Sequence, residues 1–208
     1  MGMINLRNAL MMEKPIPDLA EWFDCGAYGL SSYGGRYFVD TGLTGLVGAT
    51  TRVETSAYWS GQTNSFGNWN PLFAAQSSDG SADTIQVRRA FSIGTIIANR
   101  SDSISMTLPT SPANIVLDGQ TFTVRGTTKT VDTSSIANEK PLFLGGSYGI
   151  IYSTHGDRLK RCWHGFIGRT KVFVSGLLIA DMQPLADGSG FYDHVRRLIL
   201  PKSDIRML

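Results

Sequence analysis

The stretch from Val53 to Trp59 constrains the fold more than any other part of the chain. Val53, Thr55, Ala57 and Trp59 fall on one side of an extended backbone, and Glu54, Ser56 and Tyr58 on the other. A period of two fits a half-buried β-strand and no helix. From Arg36 onward, short apolar runs alternate with Gly, Asn, Asp, Ser and Pro in the same manner. This rhythm predicts strands at 37–40, 71–76, 84–89, 92–99, 103–108 and 142–144.

Two hairpins stand out. Residues 115–117 and 121–124 flank Asp118-Gly119, a pair suited to a tight turn with positive φ. Residues 166–174 and 177–181 flank Ser175-Gly176 in the same way. In the second hairpin Val172, Val174, Leu178 and Met182 are expected to face the core, and Pro184 to end the strand because it has no N–H for the ladder. Only residues 3–12 and 135–140 have a pattern compatible with helix. Composition agrees with an all-β reading: 23 of 208 residues are glycine, and only 17% are charged. A long-helix protein needs far more than the four glutamates present. No apolar stretch approaches the roughly 20 residues of a membrane-spanning helix.

Several short motifs resemble a known family. Gly35-Arg36-Tyr37-Phe38-Val39-Asp40-Thr41-Gly42, Pro71-Leu72-Phe73 and Pro141-Leu142-Phe143-Leu144-Gly145 are similar to strands of laminin-G-like, concanavalin A-like jelly-roll domains. The C-terminal match is the most specific. It runs from Phe166 through Val174, from Gly176 through Pro184, and on through Gly190-Phe191-Tyr192-Asp193-His194-Val195. The resemblance covers about residues 34–198. It implies an antiparallel two-sheet jelly-roll sandwich, here with a short N-terminal arm. The expected division is an arm at 1–21, the sandwich at 22–200 and a tail at 201–208. Such domains occur in phage structural proteins and bacterial surface proteins.

The paired carboxylates of a glycosidase are missing. Glycosidases of this type carry two carboxylates at close spacing on one strand face, and none of Glu13, Glu21, Glu54 and Glu139 has an acidic residue two or four positions away. Gly26, Gly29, Gly34 and Gly35 do not form a phosphate-binding loop. The expectation is a non-enzyme. His155, His164 and His194 are isolated, and Cys25 and Cys162 lack metal-ligand spacing. Those two cysteines fit either idle thiols or one bridge between the ends of the chain. Some laminin-G-like domains use calcium, but nothing in the spacing of Asp79, Asp83 and Asp102 supports it. No cofactor or metal is therefore expected.

The net charge is +2, and the pairs Arg88-Arg89 and Arg196-Arg197 and the run 158–161 are small clusters. They read as ordinary solvated surface, and neither nucleic acid nor membrane insertion is expected. The candidate ligand site is the segment 58–70, with Tyr58, Trp59, Asn64, Asn68, Trp69 and Asn70. Aromatic faces stack on sugars while amides read hydroxyls. Alternatively Trp59 belongs to the core and Trp69 closes the loop over it, or the segment touches a protein partner.

Residues 1–20 lack the apolar core of an export signal, and read as a flexible tail or an attachment peptide. With the resemblance, this favours a structural or adhesive virion component that binds other virion proteins and its own copies, with host glycan as a further partner. The alternative is a lectin-like module on the bacterial cell surface. The basic tail (Arg196, Arg197, Lys202 and Arg206 against Asp204) reads as a second docking element.

Overall fold

The structure is a computed structural model that describes residues 16–27, 35–61, 70–76, 83–89, 95–98, 105–132, 137–148 and 162–207. Within these the strands, in chain order, are β1 (Phe23–Asp24), β2 (Tyr37–Asp40), β3 (Thr51–Trp59), β4 (Asn70–Gln76) and β5 (Asp83–Arg89). Next come β6 (Thr95–Ala98), β7 (Ser105–Thr107), β8 (Ala113–Asp118), β9 (Thr121–Val124) and β10 (Thr127–Thr130). The last are β11 (Phe143–Leu144), β12 (Gly165–Val174), β13 (Leu177–Pro184), β14 (Gly190–Asp193) and β15 (Leu198–Asp204). Short 3-10 turns stand at Gly48–Thr50 and Ile205–Met207.

Every strand pair is antiparallel; β1 pairs with β12, and the other strands follow one path: β10-β9-β8-β3-β12-β13-β14-β15-β2-β11-β4-β5-β6-β7. The path doubles back on itself. Val53, Ala57, Trp59, Ile115, Val172 and Met182 from its first half share one core with Val39, Leu72, Phe73, Ile85, Val87 and Ile96 from its second. The result is a two-layer all-β sandwich, as the residue pattern and the resemblance both predict. β15 is the seam, because it pairs with β14 on one side and with β2 on the other. At the opposite border Lys129 of β10 donates to the backbone carbonyl of Ser105 in β7 at 2.9 Å, tying the two ends of the path together.

The alternation in β3 is realised residue by residue: Thr51, Val53, Thr55, Ala57 and Trp59 are buried and the intervening residues half-exposed. β4 behaves differently, with all seven residues buried. One face serves the main core. On the outer side of the neighbouring strands β2 and β11, a second cluster of Phe38, Phe143, Cys162 and Ile205 forms.

The hairpin turns follow their chemistry. Ser175 (φ 49) and Gly176 (φ 81) both take the left-handed conformation, the pattern that matches the twist of two antiparallel strands. Arg125 (φ 51) and Gly126 (φ 80) do the same between β9 and β10.

Several expectations need correction. Strand β10 lacks any apolar residue and is exposed throughout, so it left no periodic signal. Residues 137–140 form no helix, and Ala137 instead makes a bridge to Val47. Residues 3–12 lie outside the described residues. A bulge between Val172 and Phe173 shifts the β12–β13 register by one residue. Ala180 and Ile179 therefore turn to the core, and Leu178 is only half-buried.

Residues beyond 21 and 200 at both ends pair with the sandwich. Leu19 bridges Leu185 and the Ala20 N–H donates to the Pro184 carbonyl at 2.8 Å, so the end of the arm is stitched to β13. The tail is a strand. Lys202, Ser203 and Asp204 pair with Val39, Phe38 and Tyr37, and Ile205 is buried. Its charges are used internally: Arg206 pairs with Asp204 at 2.8 Å, and Arg196 with Asp193 at 2.5 Å. Arg88 and Arg89 are not solvated surface either, being 1% exposed. The Arg89 guanidinium lies 4.9 Å from the centre of the Trp59 ring.

Candidate functional site

The outward half of the β3 alternation is Arg52, Glu54, Ser56 and Tyr58, and strand pairing extends it sideways into rows. Glu54 lies opposite Val116 of β8 and Lys171 of β12, and Lys171 opposite Asp181 of β13. Ser56 lies opposite Asn114, and on its other side the β3–β12 register breaks between Ile167 and Thr170. Gly168 and Arg169 occupy that break. Tyr58 lies opposite Phe166. Because paired residues share a face, these side chains converge although they come from four strands.

Together they enclose an open furrow of about 410 Å³ lined by Arg52, Glu54, Ser56, Asn114, Arg169 and Lys171. Ser56 and Arg169 also line an adjoining hollow of about 160 Å³ walled by Glu21, Trp22 and Gln183. The combined size is within the ordinary range of small-molecule sites. Gly168 sets the floor. A Cβ there would come within 3.2 Å of the Ser56 Cβ and 3.3 Å of the Glu21 carbonyl.

The furrow is polar yet internally balanced. Arg52 pairs with Glu54, reaches Asp118 at 3.8 Å, and lies over the Phe173 ring at 5.4 Å. Arg169 grips Asp181 with two parallel hydrogen bonds of 2.6 and 2.5 Å. Burial pushes the Asp181 carboxyl upward, but this grip, aided by Lys171 and His194, outweighs it and holds the pKa below the usual carboxylate value. The same hydrogen bond raises the pKa of Arg169. Ser56 donates to the Asn114 side-chain oxygen at 2.9 Å.

An aromatic cluster stands beside the adjoining hollow, which Trp22 lines. Tyr58 stacks on Phe166 with centroids 4.8 Å apart and planes 18° apart. Trp22 meets Tyr58 edge-on at 5.2 Å. All three are half-exposed.

Of the six residues the sequence singles out, Tyr58 lies in this neighbouring cluster, against Trp22. Trp59 is 1% exposed, packed against Trp163 at 5.2 Å, and therefore serves the core. Asn70 is fully buried, and its amide donates to the Cys162 carbonyl at 2.9 Å. Neither can offer a face to a ligand. Asn64, Asn68 and Trp69 lie outside the described residues. So do Asp79 and Asp102 of the weighed calcium trio, and among the described residues no cluster of His, Cys, Asp and Glu is arranged to hold a metal ion.

Arg52, Asn114, Arg169 and Lys171 line the furrow without being singled out by the sequence. The outward alternation of β3 carried half of the signal, but nothing local pairs residue 54 with residue 171.

Cys25 and Cys162 are free and buried. Cys25 belongs to the main core and Cys162 to the second cluster. Burial pushes the Cys162 pKa up to about 12, and burial together with Cys162 and Asp24 raises that of Cys25 well above its ordinary value.

No protein-family model matches the chain, and no curated protein does. Among solved structures it is similar to domains LG4-5 of the mouse laminin alpha1 chain, at 14% identity and a TM-score of 0.46. The match covers 79% of this chain, which spans 44% of the length of that one.

Proposed function

We propose that this protein is a non-catalytic adhesive module that binds carbohydrate in the furrow on the outer face of β8, β3, β12 and β13. The observation that carries the reading is the junction of a polar floor with a half-exposed aromatic wall. Ser56, Asn114, Glu54 and Arg169 can read hydroxyl groups, while the half-exposed Trp22–Tyr58 pair offers aromatic surface to sugar C–H groups. The charge pairing supports a binding role over a catalytic one. A general acid must hold its proton near the working pH, whereas Arg169 keeps Asp181 ionised and Arg52 engages Glu54.

An adhesive setting is supported by the resemblance of segments 35–42 and 166–195 to domains of phage structural and bacterial surface proteins. We place the chain in a virion, among other virion proteins and its own copies, and take a bacterial surface module as the second reading. Probing immobilised glycans with the intact protein tests the binding reading. It should be retained on a subset of them and release no reducing sugar from any. Turnover of a glycan would contradict it. Detection of the chain in purified particles, rather than on cells, tests the setting.

A further inference from the structure

We infer that the furrow takes an uncharged glycan chain several sugars long, laid along β3, and not a polyanion. This rests on the reading of the furrow as a carbohydrate site, and deepens it. Both arginines of the furrow have a carboxylate partner, and its one lysine is flanked by two carboxylates. Arg52 is engaged by Glu54 with Asp118 nearby, Arg169 is held bidentately by Asp181, and Lys171 stands between Glu54 and Asp181 in the strand register. A sulfated or uronate chain would have to pull these cations from their partners while lying beside three acids and Glu21. Desolvating such pairs without replacing them is unfavourable. Hydroxyl groups face no such conflict, because they donate to carboxylates and accept from guanidinium and amide N–H groups alike.

Length follows from the strand. Arg52 and Tyr58 are six residues apart on β3, or roughly 20 Å at the usual rise, and the two hollows join through Ser56 and Arg169. A single sugar would occupy only part of this run.

Calorimetry with the intact chain separates the possibilities, using neutral hexose oligomers from the disaccharide upward and sulfated or uronate oligomers of matched length. Neutral oligomers should bind, with affinity that climbs with length before levelling and changes little with salt. Tyr58→Ala, with an unchanged circular dichroism spectrum, should weaken that binding roughly tenfold. Preferential binding of the charged oligomers, lost in high salt and in Lys171→Ala, would overturn the inference while leaving the furrow a glycan site. Equal affinity for the shortest and longest neutral oligomers would overturn the claim of length. Failure of both oligomer sets to bind, or binding indifferent to Tyr58→Ala, would overturn the furrow reading as well.

Discussion

At the scale of single residues, burial decides which side chains stabilise and which remain available. Trp59 illustrates the first role. It packs edge-on against Trp163 and beneath Arg89, at the meeting point of β3 and β5. Trp59→Ala should therefore cost about 3–5 kcal/mol in denaturant unfolding, the range for deleting a buried aromatic. That is a large share of the stability of a typical domain. The cysteines show how burial governs reactivity. A thiolate is the reacting form, and both thiols are held in their protonated state by burial. Under native conditions at mild alkaline pH neither should react with an alkylating reagent, whereas both should react after unfolding, giving two adducts by intact mass. A native mass lower by two hydrogens would show a bridge instead. Tyr58, between Trp22 and Phe166, is by contrast only half-buried at the surface.

At the scale of elements, the sequence was legible wherever one face of a strand is buried and the other wet. β3, β8 and β12 announce themselves by alternation, and Asp118-Gly119 and Ser175-Gly176 by their turn chemistry. β10 and β15 do not. The first is Thr-Thr-Lys-Thr with nothing to bury, and the second carries exposed Leu198 and Ile199 beside Pro201, so its strand character comes from its neighbours β14 and β2. The site was legible only in part for the same reason. Outward residues of β3 are visible locally, but their companions at 114 and 169–171 are brought up by pairing over long sequence distances. The ion pair that joins β12 to β13 has a testable pH signature. Asp181 titrates below its ordinary value in the folded chain, so the pair stabilises at neutral pH and this contribution is lost as pH falls through that lowered value, below about 4. Arg169 is half-exposed, which limits the effect to within about 1 kcal/mol. Asp181→Asn should lower stability by that amount at neutral pH and flatten the acid limb of the stability profile; an unchanged profile would mean the pair contributes nothing.

At the scale of the whole molecule, one strand joins the layers. β15 is the only described strand paired to both halves of the sandwich. Removing residues 198–208 should therefore abolish cooperative unfolding altogether, rather than merely weaken assembly as a docking tail would. A truncated chain that melts like the full one would contradict the seam. The outer face of β8, β3, β12 and β13 carries the central functional claim, and Ser56 at its middle offers the most direct test. Its side chain points into the furrow and away from the core, so Ser56→Trp fills the furrow without disturbing the packing beneath. Titrating the intact chain with the best-retained glycan should show binding lost in Ser56→Trp while the melting temperature stays unchanged. A variant that keeps its fold and binds the glycan as tightly as the parent chain would place the ligand elsewhere and contradict the account.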